Sequence, residues 1–383
     1  MSLSIAMMCH SGYGGSVRVA VELSRALTTL GHEVHLLSRS HPPGVLPGGG
    51  LTVHTLDARP PTAELDPEWS ACEIARFGEM ACGVVRRHRI DLLHFHYALP
   101  FIWVMRAIRS TLGNAAPPVV GTLHGTDVSA SGRMPSALRT KVSRALREAT
   151  VLTTVSRDHA RLAAAAYGVS ARVIPNFVDL EEFRPGPAHP WPPRIAHVSN
   201  FREVKQPESM ARIAGKVLER AEGELWLIGD GARMPVAEAV LTGHAAAGRV
   251  RHWGLRPAVA GLLGRTDVLL VTSGAESFSL ASLEAMACAV PVVAPRVGGV
   301  PELVQDGATG YLFDPGDEEA AARHLLALVT NPELRAQMGQ AGRATASAFC
   351  TSSIVPAYDL LYSETVERSR SRAPAPLEGD PRA

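Results

Sequence analysis

The sequence predicts an α/β protein of two lobes, each built around a doubly wound parallel sheet, that face each other across a cleft. Short apolar runs of strand length alternate with helix-length segments nearly throughout the chain. A proline-dense segment at residues 183–193 cannot continue a helix or a central strand. A second alternating series begins directly after it. We therefore interpret the segment as a linker between two Rossmann-like lobes.

The first lobe opens with a βαβ unit. Residues 5–9 form an apolar run that ends at the glycine-rich stretch 12–16. Residues 19–30 have helical spacing up to Gly31, and residues 32–38 return as a strand. Further strands are predicted at residues 92–95, 118–123 and 151–155.

The second lobe repeats this alternation and is followed by a helix and a tail. Its strands are predicted at residues 194–198, 224–228, 250–253, 268–272 and 290–294. A helix is predicted at residues 353–366, and the Arg-, Pro-, Ala- and Ser-rich end is expected to be disordered. The predicted units are residues 1–183, 194–352, 353–368 and 369–383.

Composition narrows the class of protein. The chain has 383 residues, 46% of them hydrophobic and 20% charged, which is ordinary for a globular protein. A net charge of +1 gives no global field for nucleic acid or an anionic membrane, and no apolar run is long enough to span one. The first residues have the pattern of a strand rather than a signal peptide. Five scattered cysteines without CxxC spacing favour reduced thiols in a cytoplasmic protein.

Two glutamates with seven residues between them are the main motif of the second lobe. Glu276 opens a loop, and Glu284 lies among good helix formers just before the predicted strand 290–294. Both positions fall at the carboxyl end of a parallel sheet, where open α/β folds bind ligands. The alternative interpretation is a pair of solvated acids at the start of a helix.

Two cations follow the first strand of the second lobe. Arg202 and Lys205, just after Asn200, can grip a pyrophosphate from a strand end. The alternative is solvated surface charge. The chain contains no Asp-x-Asp sequence, so we expect these cations to replace a metal ion and expect no cofactor.

Glycine-rich and histidine-rich segments end strands of the first lobe. The stretch 12–16 can present amides and a helix N-terminus to an anion, although it can also be a plain turn. His94 and His96 share one face of a strand, which would suit a metal, but no third clustered ligand is evident. We therefore predict no metal site. The absence of a strict G-x-G-x-x-G at residues 12–17 argues against a dehydrogenase.

These motifs resemble those of the retaining family-4 glycosyltransferases, which have the two-lobed GT-B fold. The resemblance covers about residues 3–366 and is closest to the N-acetylglucosaminyl malate synthases of bacillithiol biosynthesis; mycothiol-pathway synthases look more distant. The segments that carry it are residues 94–100, 122–127, 199–205, 276–288 and 296–302. In such enzymes the last helix returns to the first lobe, the first Glu lies by the donor sugar and the second binds the ribose.

The motifs and the resemblance together assign three sets of residues. The catalytic set is Arg202, Lys205, Glu276 and His124, the last placed near the sugar by the resemblance. The donor-binding set is Gly15, Asn200, Gly229, Leu255, Arg256, Ser277, Phe278, Ser279, Leu280 and Glu284. The acceptor-binding set is Gly14, Ser16, Arg18, Tyr97 and Thr122. Arg18 is expected to clamp a carboxylate of the acceptor, because it lies in the first turn of a helix.

Two departures from the malate synthases leave the substrates open. Val17 and Val21 stand where those enzymes have a glycine and a threonine beside the acceptor pocket, and an arginine appears at Arg18. At the donor, Ser279 replaces a glycine. Nucleotide-diphosphate binding carries over better than N-acetylglucosamine or malate.

The sequence therefore predicts a cytoplasmic, metal-independent, retaining glycosyltransferase. Its expected partners are a nucleotide-sugar and a small carboxylate-bearing acceptor, without nucleic acid or membrane insertion; a homodimer is left open. One alternative acceptor is a small thiol such as ergothioneine, S-glycosylated in lincosamide-type antibiotic biosynthesis in actinobacteria. A second alternative is a non-catalytic nucleotide-sugar-binding protein, which the full set of Arg202, Lys205, Glu276 and Glu284 argues against.

Overall fold

The protein consists of two parallel sheets covered by helices, as a computed structural model shows for residues 2–45, 50–57, 69–187, 192–244 and 247–372. The first sheet has seven strands in the order β3-β2-β1-β4-β5-β6-β7. The second has six strands in the order β10-β9-β8-β11-β12-β13. Every neighbouring pair in both sheets is parallel. The predicted fold class is confirmed.

The first lobe alternates strands and helices from the start of the chain. Its strands are β1 (Ser4–Met8), β2 (Glu33–Ser38), β3 (Leu51–Thr55), β4 (Leu92–His96), β5 (Val119–Leu123), β6 (Val151–Thr154) and β7 (Arg172–Val173). Its helices are α1 (Gly15–Thr29), α2 (Ala71–His88), α3 (Phe101–Leu112), α4 (Thr126–Ser129), α5 (Ser136–Leu146) and α6 (Arg157–Tyr167).

The second lobe follows the same plan. Its strands are β8 (Arg194–Val198), β9 (Glu224–Ile228), β10 (Val250–Gly254), β11 (Val268–Leu270), β12 (Val292–Pro295) and β13 (Gly310–Phe313). Its helices are α7 (Pro207–Leu218), α8 (Met234–Thr242), α9 (Ala260–Leu263), α10 (Leu280–Ala287), α11 (Val300–Leu303), α12 (Glu318–Thr330) and α13 (Pro332–Ala346). The long helix α14 (Thr351–Arg372) ends the described chain.

Helix α1 begins earlier than its apolar spacing indicates. We predicted a helix over residues 19–30, whereas α1 starts at Gly15, immediately after the extended residue Gly14. The glycine-rich turn is therefore shorter than predicted, and Ser16 belongs to the first turn of the helix, as does Arg18. This places a helix N-terminus directly at the carboxyl ends of the first sheet's strands.

Helix α14 returns to the first lobe and packs behind its sheet. Tyr358, Leu361 and Tyr362 are buried in the same apolar cluster as Ile5 and Met7 of β1. Tyr362 also shares a hydrogen bond of 2.7 Å with His94 Nδ1.

The sequence-based boundary of the tail is wrong by four residues. Residues 369–372 continue α14 instead of starting a disordered tail, because Arg370 donates to Asp91 at 2.7 Å and so ties this end of the helix to the first lobe. Residues 373–383, the rest of the predicted tail, lie outside the described residues.

The predicted linker begins inside the second lobe's core. Phe183 is buried among the apolar residues of that core. Its carbonyl accepts a hydrogen bond from Arg343 at 3.1 Å. Residues 188–191 lie outside the described part of the chain. Among the described helices, none combines the length and the apolar character needed to cross a bilayer.

Candidate functional site

A cleft of about 620 Å³ lies between the two lobes. Its volume falls within the range of small-molecule and cofactor sites. It is lined by residues that follow β1, β2, β4, β5, β6 and β7 in the first lobe and β8, β9, β10, β11 and β12 in the second. The carboxyl ends of two parallel sheets therefore meet here, as expected for open α/β folds.

The cleft brings together nearly all the residues that the sequence analysis assigns. Thr122 and Phe278 are the two exceptions. Thr122 is fully buried within the first lobe, where it bonds His94 Nε2 and Thr153 Oγ1, each at 2.7 Å. The Phe278 ring packs in the core of the second lobe and against Phe349. The side chains of these two residues are thus placed to support the cleft rather than to line it.

The two predicted catalytic charges contact each other directly. Lys205 ends a 3₁₀ turn after β8, and its Nζ lies 2.5 Å from Glu276 Oε1 in the loop after β11. The same carboxylate oxygen accepts a hydrogen bond of 2.7 Å from Ser273 Oγ. Charge-assisted bonds of this kind hold both side chains in defined positions.

Glycine is required where the backbone crosses close to this pair. Gly298 has φ +53°, and a Cβ atom on it would lie 1.8 Å from the Glu276 carbonyl oxygen. Gly229 has φ +119°, and its Cβ would lie 1.8 Å from the Ser199 carbonyl oxygen. Only glycine fits both the conformation and the space at these positions, so the loops after β8, β9, β11 and β12 pack tightly around the cleft.

Ser279 has a backbone conformation that favours glycine. It precedes α10 with φ 75° and ψ 77°, in the left-handed region. Its hydroxyl shares a hydrogen bond of 2.7 Å with Ser282 Oγ on α10. Residues held in such conformations cluster at functional sites.

Glu284 is buried and faces Arg18 across the cleft. Arg18 Nη1 lies 2.8 Å from Glu284 Oε1, and Nη2 lies 3.8 Å from Glu182. The guanidinium also lies 4.9 Å from the centre of the Phe183 ring. Burial raises the pKa of Glu284, while Arg18 acts in the opposite direction. The residue assigned to the acceptor thus contacts the residue assigned to the donor ribose.

His96 and its contact with Met7 set the tautomer of His124. His96 Nε2 lies 3.0 Å from Met7 Sδ, which can only accept, so this nitrogen carries the proton. His96 Nδ1 then accepts from His124 Nε2 at 2.9 Å, and His124 Nδ1 is left as an acceptor. Burial, with His159 contributing, lowers the pKa of His124 to about 3, so the ring is neutral.

The cleft concentrates buried polar atoms that the protein itself does not satisfy. Among the described residues, eight buried side-chain nitrogen or oxygen atoms lack a hydrogen-bond partner. Five of the eight belong to residues that line the cleft: Ser16, His159, Asn176, Asn200 and Arg202. Buried polar groups are normally paired, so this concentration indicates a polar ligand.

Sequence reasoning missed several residues of the cleft. His159 and Asn176 follow β6 and β7 and belong to none of the quoted motifs, so only the buried position of their polar atoms identifies them. His197 lies on β8, where it bonds the Leu270 carbonyl and Ser199 Oγ. Its place in an apolar strand directly before the motif at residues 199–205 was an available signal.

The lobes also contact each other through the predicted motifs. Ser277 Oγ donates to the carbonyl of His124. Glu302 accepts from the amides of Arg157 and Asp158 at 3.0 and 2.8 Å and so caps the start of α6. Within the described residues, the group of His, Cys, Asp or Glu side chains close enough to share a metal ion lies outside the cleft.

Known protein families match both lobes of the chain. Residues 13–182 match the family described as Glycosyltransferase Family 4, and residues 192–331 match Glycosyl transferases group 1. The chain is 29% identical to N-acetyl-alpha-D-glucosaminyl L-malate synthase of Bacillus anthracis, over 97% of this chain and 99% of that protein. It is 30% identical to D-inositol 3-phosphate glycosyltransferase 2 of Catenulispora acidiphila, over 94% and 92% of the two chains.

Solved structures show the same two-lobed architecture. Sucrose-phosphate synthase from Thermosynechococcus elongatus superposes with a TM-score of 0.81 at 22% identity, covering 96% of this chain and all of that one. Anabaena HepE in complex with UDP-glucose gives a TM-score of 0.77 at 19% identity, covering 94% and 100%. At these identities the likeness establishes the fold, which is GT-B.

Proposed function

This chain belongs to glycosyltransferase family 4, and from that premise we propose that it transfers a sugar, with retention and without a metal ion, from a nucleotide-diphosphate sugar to a small anionic acceptor. The observation that carries the proposal is the Lys205–Glu276 pair at 2.5 Å. It lies in a cleft that is also lined by residues whose buried polar atoms have no hydrogen-bond partner in the protein. A cation and a carboxylate fixed together suit a substrate that has a phosphate and a sugar side by side.

The leaving diphosphate is assigned to the cations after β8. Arg202 has a buried Nε atom without a protein partner, and Lys205 lies three residues further on, in the 3₁₀ turn. As the bond between C1 and the diphosphate oxygen stretches, negative charge grows on that oxygen. Preorganised donors at such a position are worth about 10²- to 10³-fold in rate each, and they supply the charge that a metal would otherwise provide.

The donor sugar is assigned to Glu276 and His124. Both bonds to Glu276 use Oε1, so its other oxygen, Oε2, can accept from a sugar hydroxyl. The Nδ1 atom of neutral His124 can accept from a second hydroxyl. Two acceptors that each bind a different hydroxyl group fix the orientation of the sugar ring.

The nucleoside is assigned to Glu284 and to the loop after β10. Glu284 is buried in the middle of α10, where its carboxylate can accept from the two ribose hydroxyls. Arg18 neutralises this carboxylate when no nucleotide is bound. Leu255 and Arg256, which also line the cleft, extend the site toward the base.

The acceptor is assigned to the N-terminus of α1. Helix α1 has no acidic residue in its first turn, and the hydroxyl of Ser16 is buried without a protein partner. Free amides and the helix dipole at such an end favour an anion. The names of the two relatives include L-malate and D-inositol 3-phosphate, which are both anions.

The transfer itself follows from the proximity of acceptor and diphosphate. Glu276 is held by Lys205 and Ser273 and is better placed to orient the sugar than to attack it. The electron pair of the C1–O bond passes to the diphosphate oxygen, the acceptor atom bonds C1 on the same face, and its proton goes to that phosphate oxygen. This sequence gives retention without an enzyme nucleophile.

A coupled assay with product analysis tests the proposal. The enzyme is incubated in EDTA with UDP-, GDP- and dTDP-sugars and with anionic hydroxyl or thiol acceptors, and the anomeric proton of the product is observed by NMR. We expect one donor and acceptor pair to give product with the donor's own anomeric configuration. An inverted product, or activity that returns only with magnesium or manganese, would contradict the proposed mechanism.

Kinetics of Arg18→Ala decide which substrate Arg18 serves. If Arg18 clamps the acceptor carboxylate, the acceptor KM rises and the donor KM changes little. If its contact with Glu284 is its main role, the donor KM rises instead. Arg161→Ala serves as the control, because Arg161 is exposed and pairs only with Asp158 on its own helix.

A further inference from the structure

A cluster of three histidines lies at the outer edge of the first sheet, away from the cleft. His35 is on β2, His54 is on the edge strand β3, and His88 is the last residue of α2. One ring nitrogen of each lies within 4.8 Å of those of the other two. None of the three lines the cleft. The function proposed above therefore leaves this cluster without a role.

The three rings are held close together by the fold. His35 Nδ1 and His54 Nε2 are 3.0 Å apart, and the ring centres of His35 and His88 are 4.1 Å apart. The His35 side chain is fully buried, whereas that of His88 is 26% exposed. The cluster is therefore anchored in the sheet on one side and open to solvent on the other, which gives an ion a path of entry.

Glu33 fixes the tautomer of the buried ring. Its Oε1 lies 3.1 Å from His35 Nε2 and 3.8 Å from His88 Nδ1. An ionised carboxylate only accepts, so His35 Nε2 carries the proton and Nδ1 keeps its lone pair, directed toward His54. A carboxylate that accepts from the outer nitrogen of a histidine is the usual second partner of a metal-binding imidazole.

We propose that His35, His54 and His88 bind one divalent transition-metal ion, with Glu33 as the carboxylate that orients His35. Three imidazoles suit zinc, copper or nickel, and zinc is the reference ion. Water from the exposed side of His88 would complete four-coordination. The site is separate from the cleft, so the metal-independent transfer proposed above does not depend on it.

The pair His35 and His54 needs only a small adjustment to hold zinc. Two nitrogens bound to one tetrahedral zinc at 2.0–2.1 Å are about 3.3 Å apart, a few tenths of an ångström more than His35 and His54 show. When the ion enters, His54 Nε2 gives up the proton that it shares with His35, and Nδ1 of the same ring takes a proton up. No net proton release is required for this pair.

The site would tie three elements together at an exposed edge. Strand β3 is the outermost strand of its sheet, and edge strands need protection against pairing with other chains. An ion shared by β2, β3 and the end of α2 would fasten this strand. Arg87, in the last turn of α2, places a positive charge near His54, which would repel a cation. The carboxylate of Glu33 and the partial negative charge at the carbonyl end of α2 offset this repulsion.

Metal titration of the full-length, metal-stripped protein tests the proposal. Zinc chloride is titrated by calorimetry, and the binding of cobalt chloride is followed by visible absorption. A thiolate ligand adds a near-ultraviolet band to the cobalt spectrum, so this band would reveal binding by a cysteine instead. We expect one equivalent to bind, a tetrahedral cobalt spectrum without the thiolate band, and a higher Tm with zinc. The expected effect of Glu33→Gln is an affinity about 10- to 100-fold lower.

The variants His54→Gln and His88→Gln should lose this binding. His244→Gln is the matched control, because His244 also contacts a glutamate, at 2.7 Å, but belongs to no such cluster. Unchanged zinc affinity in His54→Gln and His88→Gln, or a thiolate band in the cobalt spectrum, would overturn the proposal. If either variant fails to fold, the stoichiometry and the cobalt spectrum of the wild-type protein still decide the matter.

Discussion

Glu284 shows how one buried carboxyl can serve binding at the expense of stability. It is almost fully buried, and burial raises its pKa even though Arg18 lies 2.8 Å away. A carboxylate kept out of water and paired on one side has unused acceptor capacity, which the ribose hydroxyls can fill. The amount by which Glu284 destabilises the protein without nucleotide should therefore depend on pH.

The variant Glu284→Gln should gain stability relative to wild type as pH rises. Below the ordinary glutamate pKa of 4.5 the side chain is neutral in both folded and unfolded chains, and wild type and variant differ little in this respect. As pH rises through the raised pKa of the folded state, the buried carboxyl of wild type ionises and its free energy of unfolding falls. The glutamine does not ionise, so the variant is spared this loss. Urea unfolding of both proteins from about pH 4 to about pH 8 measures the difference.

A relative stability of Glu284→Gln that stays flat or falls as pH rises would contradict the raised pKa of Glu284. Nucleotide affinity supplies a second readout for the same variant. It should fall, because an amide accepts less well from two hydroxyls than a carboxylate.

At the level of single residues, the sequence predicted positions better than contacts. Glu276, Lys205 and Arg202 occur in recognisable motifs, so their place at the cleft could be predicted. The contact of Arg18 with Glu284 could not, because the two residues are far apart in the chain and meet only when the lobes pack. Thr122 ends a strand toward the cleft, but its side chain turns inward to His94.

Among the elements, the loop between β12 and α11 couples the two lobes. Gly298 passes against the Glu276 carbonyl, and Gly299 donates to that same oxygen at 3.1 Å. Glu302, three residues after Gly299, caps α6 of the first lobe. The position of Glu276, the proposed catalytic carboxylate, is therefore linked to the interface between the lobes.

The variant Gly298→Ala should lower activity far more than Gly307→Ala. Both glycines have positive φ, +53° and +74°, so alanine costs about 1–2 kcal/mol in backbone conformation at either. Only at Gly298 would the new Cβ collide with the Glu276 backbone; at Gly307 nothing lies within 4 Å. Turnover should fall at least about tenfold beyond the control, because a misplaced catalytic group costs that much or more.

Steady-state kinetics and urea unfolding of both variants separate strain from catalysis. Equal losses of activity in Gly298→Ala and Gly307→Ala would mean that the contact with Glu276 has no catalytic consequence.

Among the strands, all the central ones and one edge strand were predictable. Apolar runs identified β1, β2, β4, β5, β6, β8, β9, β11 and β12 within one or two residues, because strands buried on both faces are continuously apolar. The edge strand β10 was also identified, whereas the edge strands β3, β7 and β13 were missed. Helix α2, which belongs to no quoted motif, was missed as well.

On the scale of the whole molecule, α14 closes the structure by crossing back to the first lobe. Leu361 is 2% exposed and packs with β1, whereas its neighbour Leu360 is 61% exposed. The two leucines are neighbours on one helix and differ in burial. Comparing their substitutions therefore measures how much the packing of α14 contributes to the free energy of unfolding.

The variant Leu361→Ala should lower the free energy of unfolding by about 2–4 kcal/mol through lost burial and a cavity. Leu360→Ala should change it by less than about 0.5 kcal/mol, as for most surface sites. Chemical denaturation of both variants provides the comparison. Similar values for the two would show that α14 does not stabilise the first lobe in solution.

The cations after β8 are proposed to bind a nucleotide diphosphate in the cleft without a metal. Calorimetric titration of UDP, GDP and dTDP in EDTA tests it, with Lys205→Ala beside Lys216→Ala. Both lysines lie 2.5 Å from a glutamate, but Lys216 and Glu319 are on the outer surface. We predict that wild type and Lys216→Ala bind one of the nucleotides equally, and that Lys205→Ala binds it about 10- to 100-fold more weakly. Unchanged affinity in Lys205→Ala, or loss of wild-type binding in EDTA, would contradict the account.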